Sequence, residues 1–88
     1  MVKNTFTLLT RKKGVKMKIL TQNRDAVIEI PREVWATQHG PERASVVRTS
    51  YISPHMGTYS SIDRAKEVVK EIFDYHRNGK NSYIMPEQ

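Results

Sequence analysis

The sequence predicts an α+β domain: a small, mainly antiparallel sheet of four to six strands, with one long amphipathic helix packed on one face. Three observations predict this class. Between about residues 60 and 78, apolar residues recur every three or four positions, which is typical of a helix. Upstream, short segments alternate apolar and polar residues between turn residues, as strands do. After the helix, Ser82 to Met85 is predicted to form a final C-terminal strand that Pro86 ends.

The strands before the helix are short and are separated by turn residues. They are predicted over residues 17–21, 26–30, 34–38, 44–52 and 57–59. His39-Gly40-Pro41-Glu42 indicates the loop of a hairpin between the third and the fourth of them. We expect the final strand to return to the same sheet as the strand before the helix, through a right-handed crossover. One sheet face or an edge strand is then left for a partner or for a second copy of the protein.

The helix carries signals for its start, its end and its buried face. Ser60 is the predicted N-cap, and Asp63 lies three residues later, near the positive end of the helix. Asn78 and Gly79 predict its end, because glycine adopts the left-handed conformation that a closing turn needs. The apolar stripe predicted to face the core consists of Ile62, Ala65, Val68, Val69, Ile72 and Phe73.

The positive charge of the chain is concentrated at its start. Five of the six excess positive charges lie in residues 1–16, which contain no Asp or Glu. Residues 17–88 hold ten Lys and Arg against nine Asp and Glu, a net charge of +1. Proteins bind nucleic acid largely by neutralising phosphates. The charge that would indicate such a partner therefore belongs to residues 1–16, which we call the basic leader, and not to the body of the chain.

Two interpretations of the basic leader are open. In the first, Thr5 to Thr10 is a strand, Arg11 to Gly14 is a turn, and Val15 to Ile19 continues as the second strand of a hairpin with one basic face. In the second, translation begins at Met17, because Lys13-Gly14-Val15-Lys16 can be encoded by a purine-rich sequence suited to a bacterial ribosome-binding site. Both interpretations assign residues 17–88 to a single α+β domain.

Length and composition exclude several classes of protein. A chain of 88 residues without cysteine holds one domain, no disulfide and no thiolate metal site. No apolar run approaches the roughly 20 residues of a membrane-spanning helix, and the first residues lack the apolar length of a signal peptide. We therefore expect a cytoplasmic protein with no membrane partner.

No motif indicates site chemistry. His39 and His55 lie in predicted turns and His76 in the last helical turn, and no two of these histidines are three or four residues apart, as helical metal ligands are. The four glycines are isolated, which excludes a glycine-rich phosphate loop, and no serine has the context of a nucleophile elbow. The sequence predicts no catalytic residue, no metal and no cofactor, and hence no enzyme.

Aromatic residues have two interpretations. In one, Trp35 and Tyr51 on the central hairpin are exposed beside Arg43 and Arg48, and these four residues form a partner surface. Such a surface could also stack on the bases of single-stranded nucleic acid. In the other, Trp35 and some of the tyrosines pack under the helix as core. The small number of aromatic residues, seven in all, favours the second interpretation.

The body of the chain resembles a family of small uncharacterised proteins from low-GC Gram-positive bacteria and their phages or other mobile elements. Three segments carry the resemblance: Met17-Lys18-Ile19-Leu20-Thr21-Gln22-Asn23; Gly57-Thr58-Tyr59-Ser60-Ser61 with Arg64-Ala65-Lys66-Glu67-Val68; and Tyr83-Ile84-Met85-Pro86. The resemblance covers residues 17–88 and implies a start near Met17. It implies no known activity and no site residues.

These observations predict a small accessory or interaction module of unknown biological role. We expect it to bind a protein partner or itself, as a homodimer, through sheet surface. The alternative is an accessory protein that binds nucleic acid through the basic leader and the arginines and aromatic residues of the hairpin.

Overall fold

The computed structural model describes residues 16–88 and confirms the α+β class. Of the predicted leader hairpin, the first strand and the turn lie outside the described residues; of its second strand, predicted over residues 15–19, Lys18 and Ile19 lie in a strand and Lys16 is exposed. Along the chain, the elements are β1 (Lys18–Leu20), β2 (Val27–Glu29), β3 (Val34–Gly40), β4 (Arg43–Arg48), β5 (His55–Tyr59), α1 (Ile62–Arg77) and β6 (Ser82–Ile84).

The six strands form two three-stranded sheets rather than one. The strand orders are β2-β1-β6 and β3-β4-β5, and the β1–β6 pair is parallel while the other pairs are antiparallel. The expectation that the final strand returns to the sheet of the strand before the helix is therefore wrong, because β5 and β6 belong to different sheets. The turn after β1 lies on the free edge of β5: the Gln22 backbone amide donates to the Met56 carbonyl at 3.1 Å, and its side-chain amide bonds both the N–H and the C=O of Thr58, each at 2.7 Å. A side chain thus occupies the part of the β5 edge where a further strand would pair.

The core lies between the helix and the inner faces of both sheets. Helix α1 packs mainly on β3 and β4, with smaller contacts to β5 and β6. Among residues 16–88, twelve apolar side chains are buried, and eleven of these form one cluster: Met17, Ile19, Ala44, Val46, Met56, Tyr59, Ala65, Val68, Ile72, Tyr83 and Met85. Because this cluster contains Ile19 and Tyr83 from the β2-β1-β6 sheet as well as Val46 from the β3-β4-β5 sheet, the two sheets share one core.

Both ends of the helix are capped. The N-cap is Ser61 and not the predicted Ser60: Ser61 has extended backbone, and its hydroxyl accepts a hydrogen bond from the Arg64 amide at 3.1 Å. The predicted end is confirmed at Asn78 and Gly79, with Gly79 at φ 76°. The amide of Gly79 donates to the His76 carbonyl and that of Lys80 to the Tyr75 carbonyl. This pair of bonds is the Schellman motif, which needs the left-handed residue that glycine supplies.

The buried stripe of the helix is narrower than predicted. Ala65, Val68 and Ile72 are buried, and Ile62 and Val69 pack against the core from partly buried positions. Phe73 is 60% exposed, so its assignment to the core is wrong. It follows Ile72 by one residue, which turns its side chain about 100° around the helix axis, away from the sheet.

Strand β4 ends at Arg48, four residues before the predicted Ile52. In the loop that follows, the Ser50 hydroxyl accepts hydrogen bonds from the amides of Ile52 and Ser53. Serine side chains that bond nearby amides favour turns over strand pairing. Tyr51 and Ile52 are consequently fully exposed.

Candidate functional site

One face of the β3-β4-β5 sheet is not covered by the helix, and we call it the outer face. On β3, Val34 and Ala36 pack toward the core, so Trp35 points to the outer face, as alternation along a strand requires. Trp35 is 44% exposed. The interpretation that Trp35 belongs to the core is therefore wrong, whereas Tyr59 and Tyr83 are buried. Whether an aromatic residue is buried thus depends on the face of the sheet on which its side chain lies, and not on the size of its ring.

The four residues predicted as a partner surface are only partly brought together. Arg43 shares the outer face with Trp35, since its neighbour Ala44 is buried in the core. The residue opposite Trp35 is Val47, four residues from Arg43, or about 14 Å along the strand. Arg48 instead donates from Nε to the Ser53 carbonyl at 3.1 Å. Arg48 is the last residue of β4, opposite Val34, and Tyr51 lies in the loop that follows, so neither belongs to the outer face with Trp35 and Arg43.

The outer face also carries a polar cluster that sequence spacing did not reveal. His39 Nε2 lies 2.7 Å from the Ser45 hydroxyl, which lies 3.3 Å from the Thr58 hydroxyl. The rings of His39 and His55 have centroids 5.4 Å apart. These histidines lie in β3 and β5, not in the predicted turns. Their proximity depends on the strand register across β4, which no local spacing encodes.

The chemistry open to this cluster is limited by burial. Ser45 is 1% exposed, so its hydroxyl is not accessible to a substrate that would need attack by a nucleophile. The hydroxyl is held between its two hydrogen-bond partners. Within residues 16–88, no three metal-ligating side chains lie close enough together to hold a metal ion. The arrangement supports hydrogen bonding across the sheet.

Strand β3 has an open edge. It pairs with β4 on one side, and no other described strand pairs with it on the other. Its seven residues, Val34–Gly40, include no Pro and no Lys, Arg, Asp or Glu. Proteins commonly protect an edge strand with charge or proline. The edge of β3 lacks both of these protections.

A second surface feature is a groove between α1 and the segment that joins β2 to β3. We call it the helix groove, and it has a volume of about 770 Å³. Its floor is apolar and is formed by Ile30, Val34, Val69, Ile72 and Phe73. Its rim is cationic and is formed by Lys16, Arg32, Lys66 and Lys70. Sequence reasoning missed this groove because its two walls are more than 30 positions apart in the chain.

Two buried tyrosines have perturbed ionisation. Burial raises the pKa of Tyr59 to about 12, and its hydroxyl donates to the Pro86 carbonyl at 2.9 Å. Burial, followed by the hydrogen bond to Glu71, raises the pKa of Tyr83 well above its ordinary value. The Tyr83 hydroxyl donates to Oε1 of Glu71 at 2.6 Å. Both phenols are thus held neutral as donors that fix the C-terminal segment.

The helix of the described part is too short and too polar to cross a membrane. The resemblance to small proteins of Gram-positive bacteria and mobile elements stays a prediction. Searches against protein-family models, curated proteins and solved structures found no match to this chain.

Proposed function

We propose that this chain is a small, non-catalytic, cytoplasmic interaction module that pairs with a second copy of itself through the open edge of β3. The observation that carries the proposal is the uncharged, proline-free edge of this strand. An unpaired strand edge presents a row of backbone donors and acceptors that another strand can satisfy.

The rest of the sheet favours β3 over β5 as the pairing edge. The backbone of Thr58 on β5 is already bonded by the Gln22 side chain. Antiparallel pairing of two β3 strands would satisfy two-fold symmetry, in which the same surface is used by both copies. It would join two three-stranded sheets into one of six strands. Trp35 on the outer face lies beside this edge and would lose exposed area on pairing.

Non-catalytic action is supported by the state of the polar cluster on the outer face. The imidazole of His39 is bonded to a hydroxyl that is buried, and that hydroxyl is also bonded to Thr58. This cluster stabilises the sheet that presents the β3 edge.

Two matched substitutions test the proposal. Thr37 and Thr58 lie directly opposite Ser45 on its two sides, so they occupy the same row of the sheet on opposite edge strands. Thr37→Lys places a charge on the open edge strand, as natural edge strands do to prevent pairing. Thr58→Lys places the same charge on β5, at the edge where the backbone is already bonded by the Gln22 side chain. Light scattering after size exclusion should give twice the chain mass of 10.2 kDa for the wild type and for Thr58→Lys, and a folded monomer for Thr37→Lys. A wild type that stays monomeric at high concentration, or two variants that behave alike, would refute the proposal.

A second candidate function is binding of single-stranded nucleic acid, and it is favoured by the composition of the outer face. That face presents Trp35, the rings of His39 and His55, and Arg43. Rings and cations on an open sheet face are suited to stacking on unpaired bases. The basic leader would add phosphate contacts.

The only tryptophan of the chain, Trp35, is a direct reporter for this second candidate. Its fluorescence should be quenched by a single-stranded RNA oligonucleotide at low salt and less so at high salt. Arg43→Ala should weaken the quenching, whereas Arg77→Ala, on the helix, should not. A chain that lacks residues 1–16 should bind more weakly in a gel-shift assay. Absence of binding by the full chain at low salt would exclude this candidate.

A further inference from the structure

We propose that the helix groove binds an acidic peptide segment, with apolar side chains, from another protein. This site differs from the β3 edge, because its lining comes mainly from α1 and residues 30–34, and the one of these that belongs to β3, Val34, packs toward the core.

The apolar floor of the groove contains residues that the fold itself does not cover. Phe73 belongs to the apolar stripe of an amphipathic helix, yet it is 60% exposed. Val69 and Ile30 are only partly buried against the core. Burying apolar surface favours association in proportion to the area covered. A ligand that covers Phe73 and Val69 would therefore gain affinity from surface that the domain leaves in contact with water.

The positive charge of the rim favours a ligand with negative charge. Four cations line the groove, and none of the residues that line it is acidic. Lys70 is paired with Asp74 at 2.8 Å, but Lys16, Arg32 and Lys66 form no ion pair with another described residue. Unpaired cations around an apolar surface favour an anionic, amphipathic ligand, because electrostatic complementarity both speeds and selects association.

The dimensions of the groove favour a peptide over a compact small molecule. On the helix side, the lining runs from Lys66 to His76 through Val69, Lys70 and Phe73. Ten residues of helix span about 15 Å. This is about the length of three helical turns of a bound peptide, and an apolar stripe of that length matches the helix-in-groove mode of recognition.

The basic leader has the wrong charge to fill this groove. Residues 1–15 carry four Lys and Arg and no Asp or Glu. Their charge has the same sign as the rim, so placing them in the groove would add repulsion to a surface that already concentrates positive charge. An acidic segment from a different protein matches the groove in both charge and apolarity.

The probe is a fluorescein-labelled amphipathic peptide of about three helical turns, with Leu at the i, i+3 and i+4 positions of one face and Glu elsewhere. Its control is the same peptide with Lys in place of Glu. Anisotropy titrations with the full chain should show saturable binding of the acidic peptide and about tenfold weaker binding of the basic one. Binding should weaken as salt is added.

Matched variants locate the site. Lys66→Glu should weaken binding of the acidic peptide about tenfold, whereas Arg43→Glu, on the outer face, carries the same change in charge and should leave it within about twofold. Phe73→Ser should also weaken binding about tenfold, whereas Tyr51→Ser, at a fully exposed loop position, should not. Circular dichroism establishes that each variant is folded. Equal binding of the two peptides, equal effects of Lys66→Glu and Arg43→Glu, or no binding of the acidic peptide by the full chain would overturn the proposal.

Discussion

The side chain of Gln22 pairs with the backbone of Thr58 as another strand residue would. Its Nε2 donates to the Thr58 carbonyl and its Oε1 accepts from the Thr58 amide, both at 2.7 Å, and Nε2 also reaches the Glu87 carbonyl at 3.0 Å. One side chain therefore links the β1–β2 turn, the edge of β5 and the C-terminal segment.

Removing this link should lower stability without changing the fold. Gln22→Ala deprives the Thr58 amide and carbonyl of their partners, and we expect the free energy of unfolding to fall by about 1–2 kcal/mol. Gln38→Ala is the control, because Gln38 bonds only the nearby Gly40 carbonyl, and its effect should stay within about 0.5 kcal/mol. Urea unfolding measures both. Equal losses in the two variants would show that the Gln22 link contributes nothing specific.

The face of the helix that holds the core can be located with two aspartates. Val68 is fully buried and Phe73 is 60% exposed. Val68→Asp buries an unpaired carboxylate at a cost of about 3–5 kcal/mol, against a total stability of about 5–10 kcal/mol for a domain of this size. We expect Val68→Asp to abolish or strongly lower the cooperative thermal transition, and Phe73→Asp to melt within a few degrees of the wild type. Similar melting of the two variants would contradict the assigned core face.

The end of the helix depends on Gly79. Gly79 has φ 76°, a conformation that costs a residue with a Cβ about 1–2 kcal/mol. Gly79→Ala should therefore lower the free energy of unfolding by about 1 kcal/mol. Gly40→Ala is the control, since an added Cβ there would meet no atom within 4 Å, and it should change stability by less than about 0.5 kcal/mol. Chemical denaturation of both variants distinguishes backbone strain from a general effect of replacing glycine.

Alkaline pH should weaken the fold through its buried tyrosines. The folded pKa of Tyr59 is raised to about 12 and that of Tyr83 is raised as well, against about 10 for an unfolded tyrosine. The folded state therefore keeps protons that the unfolded state loses. The stabilising contribution is complete below about pH 10 and is lost as the pH rises through the folded pKa.

Unfolding curves from about pH 8 to about pH 11 measure this effect. The wild type should lose stability above about pH 10 more steeply than a Tyr59→Phe/Tyr83→Phe variant, which lacks both phenols. Tyr83→Phe should also lower stability by about 1 kcal/mol at neutral pH, because Glu71 loses a hydrogen-bond donor. Parallel curves for wild type and double variant above pH 10 would show that these phenols do not govern the loss.

The fold class and the helix can be predicted from patterns of residues that are close together in the sequence. The helical period and the Asn78-Gly79 end of the helix depend on residues that are close in the sequence, so both can be predicted from it. The observed N-cap lies one residue after the predicted one, because Ser60 and Ser61 are both serines. The division into two sheets could not be predicted. It is set by strand pairing and contacts between residues far apart in the chain, such as the hydrogen bonds of Gln22 with Thr58, which lies 36 residues away.

The candidate surfaces were less predictable than the fold. The small number of aromatic residues favours Trp35 as core, but Val34 and Ala36 pack toward the core, and the alternation of side chains along β3 therefore turns the Trp35 ring outward. The helix groove forms between residues 30–34 and 66–76. No local sequence pattern predicts that these two segments lie side by side. Arg43 and Trp35, which the sequence analysis places on one partner surface, do share the outer face.

The parallel pairing of β1 with β6 has a consequence for how the domain folds. Both edges of β1 are occupied, one by β2 and the other by β6, and Lys18 of β1 lies opposite Ser82 of β6. The first described strand therefore completes its sheet only when the last described strand reaches it. Contacts of such large separation in the chain slow folding, so we expect the pairing of β1 with β6 to form later than the local pairing of β1 with β2.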